Sequence, residues 1–148
     1  MSQILVFDLG GVLIENDMFD AMQTLSGGDV SQTDLKARWL ASTAAREFEL
    51  GRCSPKEFGT AIVAEFGFSI SADEFLRAFT GWPKGYSSES LALLAQLRKQ
   101  HRLACLSNSN ELHWSDAMTA PFETGYSSHL IQHIKPDRIV FELSLIHI

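Results

Sequence analysis

The sequence predicts an α/β fold: a parallel sheet under helices, with a helical block inserted after the first strand. Three observations predict it. Ile4-Leu5-Val6-Phe7 runs apolar without a polar break, as a strand buried on both faces does. Arg102-Leu103-Ala104-Cys105-Leu106 repeats that pattern much later in the chain. Between about Asn16 and Phe79 only helical spacings occur. A parallel neighbour needs a single crossover helix, so several helices there read as a separate cap.

The first strand ends in Asp8, followed by Leu9, Gly10 and Gly11. Open α/β sheets bind ligands at the carboxyl ends of their strands, and glycine lets a ligand approach the backbone closely. Asp8 is therefore either a ligand-facing acid or a cap for the next helix. Met18, Met22 and Leu25 share one helix face, stopped by Gly27-Gly28. Ser31 to Asp34 starts a second helix through a capping-box variant; its apolar positions are Leu35, Trp39, Leu40 and Phe48, and Gly51 closes it. Ser54-Pro55 opens a third, striped by Phe58, Ile62, Val63 and Phe66, and Gly67 ends it; proline suits the first helical position. Ser71 to Glu74 opens a fourth with Phe75, Leu76 and Phe79, broken by Gly81-Trp82-Pro83.

Alternation then resumes. Ser87 to Ser90 begins a helix carrying Leu91, Leu94, Ala95 and Leu97, and its basic end from Arg98 to His101 opposes the helix dipole. The second strand follows and ends in Ser107-Asn108-Ser109-Asn110. A helix is expected from about Asn110 to Met118, an irregular or strand segment from Phe122 to Ser128, and a helix opened by Pro136 and running through Phe141.

Composition sets bounds. The chain has 148 residues, about one domain. A net charge of −6 without a basic cluster argues against nucleic acid. No apolar run is long enough to span a membrane, and the N-terminus lacks a signal-peptide pattern. Cys53 and Cys105 are distant in sequence and are expected to be reduced thiols in a cytoplasmic protein.

Two strand ends thus offer a carboxylate and a hydroxyl, and Ile134-Lys135-Pro136-Asp137 supplies a cation. Taken singly, Lys135 reads equally as a solvated lysine and Ser107 as a cap. Together and in order, these residues resemble the haloacid dehalogenase superfamily, in its phosphatase branch with a helical cap. The first motif is Phe7-Asp8-Leu9-Gly10-Gly11-Val12-Leu13, the second Leu106-Ser107-Asn108-Ser109-Asn110, the third Ile134-Lys135-Pro136-Asp137. The stretch Phe48-Glu49-Leu50-Gly51-Arg52-Cys53-Ser54 looks like that family's cap turn, an acid-x-Gly before a helix.

The resemblance implies an incomplete Rossmann-like three-layer core over residues 1–14 and 84–142, with a helical cap over 15–83. It implies Asp8, Ser107 and Lys135 as catalytic groups, Gly10, Gly11 and Asn108 as substrate-binding, and Asp8 with the Gly10 carbonyl as ligands of Mg²⁺. Asp8 would attack phosphorus, Ser107 and the amide of Asn108 would hold phosphoryl oxygens, and Lys135 would neutralise them. The implied partner is a small phosphorylated metabolite, a sugar phosphate included; oligomeric state is left open. Cap residues around Glu15 to Phe19 and Trp39 to Arg46 would select it.

Two departures from the family stand out. The family commonly carries a second aspartate two residues after the nucleophile, as general acid and base; here that residue is Gly10. Sugar-phosphate phosphatases with this glycine form are similar to this chain. Lacking that donor, the protein is expected to favour phosphates whose leaving group needs little protonation. The family's fourth motif, a later acidic pair, has no counterpart after Lys135, and residues 143–148 break with the pattern before them. The expectation is a shortened gene with a non-native tail, an exposed first strand, poor solubility and little activity.

Three other readings compete. A receiver domain carries its acid pair on the first strand, whereas this strand has one acid. A 2-haloacid dehalogenase would attack carbon and need no Mg²⁺. A non-catalytic domain or inactive fragment would account for both departures.

Overall fold

The computed structural model describes residues 3–147. In order, the chain forms β1 (Ile4–Phe7), β2 (Ile14–Asn16), α1 (Met18–Leu25), α2 (Gln32–Ala41), α3 (Thr43–Glu49), α4 (Pro55–Phe66) and α5 (Ala72–Thr80). It continues through β3 (Pro83–Tyr86), α6 (Ser88–Leu97), β4 (Arg102–Ser107), α7 (Asp116–Thr119), β5 (Thr124–Ser127), α8 (Ser128–Ile131) and α9 (Arg138–His147).

β1, β4 and β5 make a parallel sheet in the order β1-β4-β5. The register sets Phe7 opposite Cys105 and Ser107 opposite Ser127. Strand β4, between the other two, is the most buried, with Leu103 to Ser107 all inside. Leu9, Leu13, Leu94, Leu103, Cys105 and Phe122 pack together around it. This is the parallel α/β core that the two apolar runs predict.

The cap has its own core. Phe48, Phe58, Phe75 and Phe79 are almost wholly buried together with Met22, Leu35 and Ile62. Phe48 and Phe58 stack with centroids 4.1 Å apart, and Trp39 stands edge-on to Phe58. Aromatic pairs of this kind each contribute about 0.5–1.5 kcal/mol beyond area burial. The two serine-glutamate capping boxes form as the sequence predicts, Ser54 with Glu57 and Ser71 with Glu74.

The cap leaves and rejoins the core through a ribbon that the sequence reading missed. β2 pairs antiparallel with β3, setting Ile14 opposite Tyr86, and the register slips between Glu15 and Asn16. Asp17 and Lys84 form an ion pair of 3.1 Å beside it.

Other differences have local causes. The expected helix from Ser31 to Gly51 is two helices. Ser42 is extended between them; its hydroxyl accepts from the Ala45 N–H and donates to Glu65. Leu40, placed on the apolar stripe, is 77% exposed as a result. The helix expected from Asn110 shrinks to a turn and α7, because the Asn110 side chain accepts the Leu112 and His113 N–H groups. Helix α9 begins at Arg138 rather than at Pro136, which follows a cis peptide bond, and runs unbroken to His147. Cys53 and Cys105 are both free thiols. Among the described residues no helix is long and apolar enough to cross a membrane.

Candidate active site

Asp8 is the first residue beyond β1, one step past the Phe7–Cys105 pair that ends the strand's register with β4. The turn after it is tight: the Val12, Leu13 and Ile14 N–H groups all donate to the Leu9 carbonyl. Gly11 takes φ +73°, a left-handed conformation suited to glycine. The Leu9 N–H donates to Asp8 Oδ1 at 2.8 Å, which aims the carboxylate across the strand end.

Lys135 meets it there. Its Nζ donates to Asp8 Oδ1 at 2.8 Å and to the Leu106 carbonyl at 2.9 Å. The lysine is the more enclosed partner, with a side chain 19% exposed against 46% for Asp8. Asn108 fixes the lysine's backbone. Its Oδ1 accepts the Lys135 N–H at 2.8 Å, and its Nδ2 donates to the Lys135 carbonyl at 3.1 Å. The Asn108 side chain is thus committed to a latch, leaving its main-chain N–H as the group able to face a substrate.

Ser107 ends β4 and is 5% exposed. Its hydroxyl donates to the Asn108 carbonyl at 3.4 Å, a long bond that a better acceptor could replace. Ser107 and Asn108 share a small cavity with Gly10. Asp8 and Lys135 are therefore in direct contact, while Ser107 approaches the same turn from the neighbouring strand. Below them, Ser128 accepts the Ser109 N–H and donates to its carbonyl, both at 3.0 Å.

The cap supplies the other wall. A cavity of about 300 Å³ lies between Gly10 and Gly11 of the core turn and Trp39 and Glu49 of the cap, with Asn108 and His113 on its sides. Burial pushes the Glu49 carboxyl up to about 7, against the opposing pull of the Trp39 hydrogen bond, Arg46 and Lys135. Burial also lowers His113, whose Nε2 lies 2.7 Å from the Phe79 carbonyl and whose Nδ1 faces Asn110. Those partners define a neutral ring with its proton on Nε2. Arg46 reaches from the cap to Asp137 at 3.4 Å.

Of the expected cap region Trp39 to Arg46, Trp39 faces the cavity; of Glu15 to Phe19, Asn16, Met18 and Phe19 do. Glu49 was seen in the sequence only as part of a turn. Its approach to Gly10 is a matter of cap placement, which local pattern does not carry.

No family model matches the chain. A curated protein, the D-ribitol-5-phosphate phosphatase of Bacteroides thetaiotaomicron, is 25% identical over 98% of this chain and 76% of its own length. A solved structure of a HAD family enzyme from the same organism, in complex with magnesium and inorganic phosphate, superposes with a TM-score of 0.74 at 22% identity. That match covers 99% of this chain and 79% of the other. The chain has the haloacid dehalogenase superfamily fold. Within this superfamily, the L-2-haloacid dehalogenase of Xanthobacter autotrophicus also superposes, with a TM-score of 0.61 at 17% identity over 100% of this chain and 65% of its own. By resemblance this haloacid dehalogenase-fold protein is a hydrolase, and the resemblance extends over its whole described length.

Proposed function

We propose that the protein hydrolyses phosphomonoesters of small metabolites, sugar or sugar-alcohol phosphates among them, through an aspartyl-phosphate on Asp8. The observation that carries this reading is the 2.8 Å contact of Asp8 with Lys135 at the strand end, next to a glycine turn and Asn108 that line a cavity under the cap. The curated relative, a sugar-alcohol phosphate phosphatase, supports the substrate class.

In this reading an Asp8 oxygen attacks phosphorus, and a carboxylate nucleophile splits one difficult displacement into two easier ones. Lys135 holds that carboxylate in place through their ion pair and then shares its charge with the phosphoryl oxygens. Ser107 turns its hydroxyl from the Asn108 carbonyl to a phosphoryl oxygen, and the main-chain N–H of Asn108 donates to another. The turn at Gly10 and Gly11 lets the phosphate lie against backbone, since the space a Cβ would take at either residue is open.

Mg²⁺ suits the donors present. Asp8 offers a half-exposed carboxylate and Gly10 a main-chain carbonyl, both hard oxygens, and Mg²⁺ takes one or two carboxylates together with waters and substrate phosphate. When bound there it would supply charge neutralisation and orientation of the phosphate. The dehalogenase alternative has the fold behind it and no observation at the site. Lys135 and Ser107 at a glycine turn suit an anion with several oxygens better than a carbon–halogen bond.

The test is release of nitrophenol from 4-nitrophenyl phosphate. A slow release that requires Mg²⁺ and disappears in Asp8→Asn is expected. An unchanged rate in Asp8→Asn would overturn the reading.

A further inference from the structure

We propose that Glu49, reaching down from the cap, protonates the leaving oxygen during the displacement at Asp8. This rests on the phosphatase reading above and deepens it. The residue two beyond the nucleophile is Gly10, which has no proton to give, and the space its side chain would fill is open. That space belongs to the cavity on whose far wall Glu49 stands. Of the residues lining it, Glu49 and His113 are the two that titrate. Both ring nitrogens of His113 are engaged, with Asn110 and with the Phe79 carbonyl. Glu49 remains. It is the last residue of α3, so its carboxyl is anchored by a helix whose Phe48 is locked into the cap core.

The groups acting on it are Trp39 from α2, Arg46 from its own helix and Lys135 from the core loop, and all three favour the charged form. Burial outweighs them and holds the carboxyl at about 7. A general acid works best with its pKa near the working pH.

The step balances. The Asp8 oxygen–phosphorus bond forms as the bond from phosphorus to the leaving oxygen breaks. That oxygen keeps the electron pair and takes the Glu49 proton, so an alcohol departs and Glu49 is left as carboxylate. In the second step water attacks phosphorus, the aspartyl bond breaks back to the Asp8 carboxylate, and both water protons leave on the phosphate product; Glu49 regains its proton from solvent before the next turnover. Simple alkyl phosphates then become substrates, contrary to the preference for activated phosphates that Gly10 alone suggests.

The experiment compares glycerol 3-phosphate with 4-nitrophenyl phosphate, whose leaving group departs without a proton, in wild type, Glu49→Gln and the double variant Glu49→Gln with Gly10→Asp. Glu49→Gln is expected to lower kcat on glycerol 3-phosphate about 10²-fold or more while changing its KM, and both constants for the aryl ester, by less than about threefold. The wild-type kcat on glycerol 3-phosphate falls as pH rises through about 7, and this limb is lost in Glu49→Gln. Gly10→Asp, at a position where a Cβ meets open space, restores part of the alkyl rate. Equal losses on both esters, or a loss confined to KM, would assign Glu49 a structural or substrate-selecting role and overturn the proposal. A wild type that cleaves the aryl ester alone also overturns it and leaves the phosphatase reading standing. A wild type that cleaves neither overturns both.

Discussion

At the scale of single residues, the site depends on how firmly Lys135 is held. Its ammonium contacts Asp8 and the Leu106 carbonyl, and its backbone is clasped twice by Asn108. Asn108→Ala removes two hydrogen bonds of about 1 kcal/mol each, so unfolding is expected to become easier by about 1–2 kcal/mol. The loss of activity is expected to be larger, near 10²-fold, because a displacement of about 1 Å in a catalytic group has that effect. Denaturant unfolding and a phosphatase assay on one preparation check the pair; equal small effects on both would refute the latch. Glu49 gives a prediction of opposite sign for stability. Its carboxyl titrates at about 7 in the folded chain against 4.5 ordinarily. The folded state then holds the extra proton between those values, and stability falls as pH rises from 4.5 through 7. Replacing it by neutral Gln removes that slope. Glu49→Gln is expected to stabilise the protein at about pH 8, by a few kcal/mol at most, and to leave it nearly unchanged at about pH 4. Thermal melts across this range read the difference.

At the scale of elements, legibility followed length and chemistry. β1 and β4 are uninterrupted apolar runs, and the helices opened by Ser54 and Ser71 carry both halves of a capping box, so these were readable. β2 and β3 were not. They are three and four residues long, and Pro83-Lys84-Gly85-Tyr86 has the composition of a turn; their pairing is decided by the need to bring both ends of the cap together. The break at Ser42 was hidden because serine is neutral in a helix until it finds a backbone partner. Gly51 is an element-scale constraint with a measurable consequence. It sits just beyond α3 at φ +68°, where a Cβ would lie 2.5 Å from the His129 carbonyl oxygen of α8. Here the cap touches the core backbone, two residues from Glu49. Gly51→Ala meets both the left-handed backbone penalty and that clash, so a destabilisation above about 1 kcal/mol is expected. It should also reduce hydrolysis of glycerol 3-phosphate more than that of the aryl ester, because α3 must shift. A variant melting with wild type would show that this contact is not maintained in solution.

At the scale of the whole molecule, the sequence named the residues of the strand ends but not what faces them. Asp8 and Lys135 could be matched by motif order; the opposition of Gly10 and Glu49 depends on how a ribbon of two short strands seats one hydrophobic cluster on another. The sheet itself raises a last physical question. β1 lies at one edge of the order β1-β4-β5 and, among the described residues, pairs on one side only. Val6 on it is 42% exposed, and Phe141 of α9, 44% exposed, flanks an apolar cleft shared with Phe7 and Leu106. An apolar strand with free N–H and C=O groups is a template for another strand, and proteins commonly blunt such edges with lysine. This edge has no such residue, for Ile4-Leu5-Val6-Phe7 is apolar throughout. The protein is therefore expected to self-associate as its concentration rises. Val6→Lys puts a charge on the exposed face of the strand without altering its pairing with β4, so it should raise the monomer fraction in light scattering while the far-ultraviolet circular dichroism stays unchanged. If wild type is already monodisperse at high concentration, or if Val6→Lys aggregates as readily, the edge is protected by something other than its own chemistry.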